Sequence, residues 1–256
     1  MFGKRSFHEI VIMSGRSLRG ICFPRAWRRI AASLIFAGLL PVSLCAVCGQ
    51  PQPRLVCAEY FRSQAVVEAK LVRSRYIAPS NEMDGHIYEM KTERVLSGNP
   101  GNSFDIWEEN SSGRAGFAWE PGHSYLLFLT SQSNRGWELD GCGNSGLLEK
   151  KQSALSEIEA LQTRRGGMIQ VAVGGDWIVG GPTRDAKVLV QGTHETFSAN
   201  TNDKGIAEIR VPAGQYSVTV PDHRVQAFDF TYDYPEKITI VNGSCAQIQF
   251  VQSSTN

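Results

Sequence analysis

Beyond Gly167 the chain offers only short strand-like runs: MIQVAVG, DWIVGG, AKVLVQG, ETFSANT, IAEIRVP, QYSVTVP, QAFDFTY, KITIVN and AQIQFV. Each is a few residues of alternating or β-branched character closed off by turn-forming residues. So long a stretch without a helical period restricts residues 168–256 to an all-β arrangement, and the spacing of its turn signals predicts an antiparallel sandwich. Within it, Asp203-Lys204-Gly205 predicts a tight turn with Gly205 in the left-handed backbone conformation. Pro212-Ala213-Gly214 predicts a second reversal, and Ile206, Val218 and Val220 are expected on core faces.

The preceding stretch has a different rhythm. From Ala65 to Asp140 the runs AVVEAKLV, HIYEMKTERVL, SFDIWEE, SYLLFLTS and GWEL are divided by turn-rich segments such as 97–103 and 120–123. Leu147, Leu148, Ala154, Leu155, Ile158 and Leu161 then fall mostly at helical steps, with Lys151 interrupting, and predict a helix over 147–162. Thr163-Arg164-Arg165-Gly166-Gly167 ends it as a polar linker with a trypsin-sensitive arginine pair. The expected class is mainly β, with one domain over 46–162, a linker over 163–167 and a second domain over 168–256.

Ahead of these lies a leader, residues 1–45. Arg16, Arg19, Arg25, Arg28 and Arg29 form a basic region, and Ile30–Leu44 is an apolar run ending near Ser43, Cys45 and Ala46. The run is shorter than the ~20 residues a spanning helix needs and contains Pro41, so a cleaved signal peptide is expected and a retained anchor is the rival. Residues 1–45 hold seven of the 26 Lys/Arg and one of the 25 Asp/Glu, leaving 19 and 24 and a formal charge of −5. With no basic stripe interleaved with aromatics, nucleic acid is not an expected partner. Cys48 and Cys57 bracket a Pro-rich decapeptide behind the leader, a staple useful only where thiols oxidise, so secretion or export to a periplasmic or extracellular space is expected.

No residue constellation for catalysis emerges. His86, His123, His194 and His223 are widely separated and lack metal-ligand spacing. There is no nucleophile elbow, phosphate loop or dinucleotide fingerprint. Glu108 and Glu109 are adjacent on a strand end and point to opposite sides. Asn200–Gly205 has oxygen ligands before a glycine, but Val211 stands where a calcium loop needs its bidentate Glu, so a hairpin turn is expected. Gly174-Gly175-Asp176 and Gly180-Gly181 have no helix after them to present amides to a phosphate. Without the leader, Cys48, Cys57, Cys142 and Cys245 remain, and four cysteines permit three pairings.

Residues 48–162 resemble the netrin-like fold shared with tissue inhibitors of metalloproteinases. The resemblance is carried by the cysteine-led opening with Cys57, the strand AVVEAKLV, the segment Ala115-Gly116-Phe117 through Phe128, the following Cys142 and the helix behind it. It implies a small barrel of the oligonucleotide/oligosaccharide-binding type with a flanking helix. It also favours a Cys48–Cys142 bond, leaving Cys57 and Cys245 free or bonded between domains; Cys57–Cys142 is the runner-up, and Cys245 alone reads as a buried strand thiol. The family's usual cysteine before Gly-Phe is Ala115 here, so one staple of the inhibitory N-terminus is absent. Residues 168–256 resemble the carboxypeptidase regulatory-like, transthyretin-type β-sandwich, through Ala186–Gly192 and Thr201–Val220. That module carries no peptidase chemistry.

Three functions from different classes follow as expectations. The first is a secreted, non-enzymatic binding or structural protein with an extracellular protein or cell-surface ligand as partner, and with no cofactor or metal. The second is a metalloendopeptidase inhibitor, which the resemblance would route through the free amine and carbonyl of Cys48, or of Cys45 after earlier cleavage. The third is a hydrolase with scattered cleft residues.

Overall fold

The computed structural model describes residues 53–78, 84–110, 118–174, 181–221, 225–228 and 237–252, with the side chains of Gln132, Gln252 and 225–228 left aside. It is mainly β, with two helices, a ring-like five-strand sheet and two further sheets. The first half runs α1 (Val56–Arg62), β1 (Ala65–Ile77), β2 (Gly85–Ser97), β3 (Ser103–Glu109), β4 (Ser124–Ser133), β5 (Gly136–Leu139) and β6 (Gly146–Leu147). A single 3₁₀ turn, Leu148–Lys150, leads into α2 (Gln152–Leu161). The second half is β7 (Gly167–Gly174), β8 (Lys187–Gln191), β9 (Thr196–Asn200), β10 (Ile206–Val211), β11 (Gly214–Thr219), β12 (Val225–Phe228), β13 (Ile238–Ile240) and β14 (Cys245–Gln252).

Strands β1, β2, β3, β5 and β4 follow one another around the ring, and β4 pairs back onto β1 to close it. The pairs are antiparallel except β3 with β5, which meet in parallel at Ile106 and Trp137. Alternation explains the filling. Ala65, Val67, Ala69 and Leu71 of β1 and Tyr125, Leu127 and Leu129 of β4 point inward with Met90 and Ile106. The intervening Val66, Leu126 and Phe128 point outward, where Val56 of α1 and Ala154 and Ile158 of α2 cover them. Burial on both faces is why Tyr125–Leu129 reads as an unbroken apolar run rather than an alternating one.

The helices differ from expectation. The predicted helix 147–162 starts only at Gln152, because Gly146 and Leu147 are drawn into a short pairing with Tyr125 and Leu126 and Leu148–Lys150 form the 3₁₀ turn. Ala154, Ile158 and Leu161 remain at helical spacing on its buried face. Helix α1 was not foreseen: seven residues are too few to show a period, and the cysteine-led opening masks them.

In the second half, β10-β7-β14-β12 and β13-β11-β8-β9 form two four-stranded sheets around one core. Strand β14 lies parallel to β7, correcting the purely antiparallel expectation. The two are the first and last strands of this half, joined by no hairpin, so nothing in chain connectivity forces them antiparallel. Gly205 has φ +70°, as the turn requires, and a Cβ there would lie 2.4 Å from the Val173 carbonyl oxygen. The core parity of β10 is one residue off the expected one: Ala207, Ile209 and Val211 are buried and Ile206 is half-buried. Asn202 Oδ1 accepts from the amides of Lys204 and Ile206, so this polar side chain closes the turn that leads into β10. Residues 176–180 of DWIVGG lie outside the described residues.

Candidate functional site

The seam between the halves is built around one covalent bond. Cys57 of α1 is bonded to Cys245 at the start of β14, with Cα atoms 5.4 Å apart and both residues buried beside Ala58 and Leu161. This removes the Cys57–Cys142 pairing and the free-thiol reading of Cys245, because the fold brings α1 against the first residue of β14. Cys142 is also disulfide-bonded, to a partner outside the described residues, where Cys45, Cys48 and Ala115 also lie. Hydrogen bonds reinforce the clamp. Gln247 of β14 accepts from the Leu55 amide at 2.8 Å and donates to the Pro53 carbonyl at 3.0 Å. Of the linker segment 163–167, Thr163 and Arg164 donate back to carbonyls of α2, while Gly166 donates to Asn242 Oδ1 at 2.9 Å and accepts from the Gly243 amide.

Next to the clamp, Glu59 of α1 is 8% exposed. Its Oε2 accepts from the backbone amide of Asn144 at 2.6 Å and from that residue's Nδ2 at 2.7 Å. Its Oε1 is buried without a hydrogen-bond partner, against Gly143, where a Cβ would sit 2.0 Å from it. Burial pushes the carboxyl above the ordinary Glu range, with Asp140 adding to the effect, against the Asn144 bonds and the charge of Arg54. Arg54 itself lies 3.5 Å from Asp140. Chemically, Glu59 is a latch holding α1 to the loop behind Cys142. Sequence reasoning missed it because one Glu in a short apolar stretch carries no spacing signal.

The other singled-out residues are dispersed. His86 stacks on Tyr88 and lies beside Tyr76, His123 is 3.6 Å from Glu120, His194 sits exposed in the β8–β9 turn, and His223 lies outside the described residues. Glu108 accepts from Trp119 Nε1 at 2.8 Å. Among the described residues no group of three or more His, Cys, Asp or Glu side chains is gathered to hold a metal ion. No helix among them is long and apolar enough to cross a membrane.

Among the described residues, two hollows bear on the site. One, of about 420 Å³, lies between Glu89, Asp105, Arg135 and Trp137, and its carboxylates are already matched by Arg73 at 2.6 Å and Arg75 at 3.4 Å. The other, of about 490 Å³, lies in the seam over the Cys57 end of the clamp, lined by Glu157, Arg164, Arg165, Arg210, Pro212 and Asn242 among others. The chain matches no protein-family model and no curated protein sequence.

Proposed function

We propose that this is an exported, non-enzymatic binding protein made of two recognition modules, a netrin-like barrel of the oligonucleotide/oligosaccharide-binding type and a prealbumin-like β-sandwich. The observation that carries it is the buried Cys57–Cys245 bond, which joins α1 of one module to β14 of the other and is of the kind that oxidising compartments favour. Support for the barrel assignment comes from the closed order β1-β2-β3-β5-β4 and its one parallel pair, and support for the sandwich from two four-stranded sheets on a single core. The sandwich braces the barrel through α1, and the seam offers a preformed concave surface for a ligand.

Metalloendopeptidase inhibition through an N-terminal cysteine is the second reading. It is favoured by the disulfide-bonded state of Cys142, the residue that the resemblance pairs with Cys48. Ala115 in place of the family's second restraint argues against it, since chelation of a protease zinc needs a rigidly held free amine. Titrating a zinc endopeptidase of known active-site concentration with the purified exported protein separates the two. Unchanged protease activity at excess protein is the expected result; stoichiometric loss, abolished by acetylating the N-terminus, would establish the inhibitor instead.

A further inference from the structure

The seam cleft gathers three cations in a chain that is otherwise acidic after its leader. Arg164 and Arg165 come from the α2–β7 junction and Arg210 from β10, so two separate stretches of chain line one cleft of about 490 Å³ with arginines. None of the three forms an ion pair within 4 Å among the described residues, although Glu157 of α2 lines the same cleft. Elsewhere on the described surface arginines are matched: Arg94 with Glu68 at 3.1 Å and Glu159 at 2.7 Å, and Arg184 with Asp203 at 2.8 Å. Asn242, whose Oδ1 is held by the Gly166 amide, adds an amide donor to the rim. Cys57 and Met168 also line the cleft, so the Cys57–Cys245 bond ties α1 to the second half beside it.

We infer that this cleft binds a small ligand bearing tetrahedral oxyanions, a phosphate or sulfate ester, between Arg164, Arg165 and Arg210. Guanidinium forks present paired N–H donors that match such oxygens, and their weak hydration lowers the cost of stripping water from the site. A fixed cleft adds affinity by removing the cost of ordering its walls. Glu157 opposes the anion and so sets selectivity: a monocarboxylate gains too little to overcome it, whereas a multiply charged oxyanion does. This inference rests on the binding-protein reading and supplies its ligand class.

The test is titration of the oxidised full chain with inorganic pyrophosphate and, separately, with a trisulfated uronic acid–glucosamine disaccharide, following amide shifts of Gly166, Gly167 and Asn242 and the ³¹P signal of the pyrophosphate. Saturable shifts at these amides with either probe support the site, and the tighter probe identifies the ester class. Binding should weaken as ionic strength rises from about 10 mM to 150 mM, over which the Debye length falls from about 30 Å to 8 Å. Each of Arg164→Ala, Arg165→Ala and Arg210→Ala should weaken binding about tenfold, as loss of a charge-assisted hydrogen bond does. These side chains lie at the surface, so folding should survive, as an unchanged amide spectrum elsewhere would show. Glu157→Gln should tighten binding several-fold. Absence of saturable shifts with both probes, or undiminished binding by the triple Arg→Ala variant, overturns the inference while leaving the binding-protein reading intact. Conversion of pyrophosphate to orthophosphate by the wild type but not the triple variant would support the site and overturn the non-enzymatic reading.

Discussion

Removing the clamp is the perturbation with the largest calculable effect. Cys57 and Cys245 are 188 residues apart, so their bond closes a loop that spans almost the whole described chain. On the chain-entropy relation a loop of that size restricts the unfolded state by about 5 kcal/mol. The second cross-link, at Cys142, shortens the effective loop, but the dependence is logarithmic and each halving removes only about 0.6 kcal/mol. Cys57→Ala/Cys245→Ala also removes two sulfurs packed beside Ala58 and Leu161, which adds to the loss. We therefore expect the double variant to lose about 3–5 kcal/mol in urea unfolding. In a protein of this size that corresponds to roughly 6–20 °C in Tm. Cys57→Ala alone should cost nearly as much as the pair, because either substitution breaks the bond. A double variant within about 1 kcal/mol of the oxidised wild type would show that the two halves do not depend on a covalent clamp, and the loop-closure reasoning would fail.

Three further outcomes are expected. Limited trypsin digestion should cut at Arg164 or Arg165, and the products should migrate as one species on a non-reducing gel and as two after reduction; separation without reductant would contradict the Cys57–Cys245 bond. Gly143→Ala should destabilise by about 1–3 kcal/mol, because its Cβ would collide with Glu59 Oε1, and pairing it with Glu59→Ala should recover part of that loss; equal losses in single and double variants would place the strain elsewhere. For Glu59, burial raises the folded-state pKa above the unfolded one, so the folded protein binds the extra proton and stability falls as pH rises through that window. Glu59→Gln should then be at least as stable as wild type at pH 7 in urea, with the difference shrinking as pH is lowered; a difference independent of pH would count against a buried charged carboxylate.

The strands were legible because their periods and turn residues are local: each described run from Ala65 to Leu139 falls within a strand, and Gly205 makes the turn its neighbours announce. What escaped depends on contacts distant in sequence. Helix α1 is held by packing on Val66 and Phe128 and by the bond to Cys245, none of which seven residues reveal. The start of α2 was misplaced because Leu147 continues the apolar pattern while belonging to a strand paired with Tyr125. The parallel β7–β14 pairing joins the first and last strands of the second half, a matter of topology rather than pattern. At the seam, Arg164 and Arg165 were readable as an exposed pair, but Arg210 joins them only because β10 pairs with β7. The buried Glu59 was invisible for the same reason: its partner Asn144 lies 85 residues away.

The proposed role depends first on where the chain works and in what oxidation state. Intact-mass and N-terminal peptide analysis of the protein recovered from an exporting cell, without reductant, addresses both at once. The expected species is a soluble chain starting within a few residues of Cys48, with a disulfide-linked peptide pair containing Cys57 and Cys245. A membrane-embedded chain starting at Met1, with Cys57 and Cys245 as free thiols, would contradict export and the clamp together.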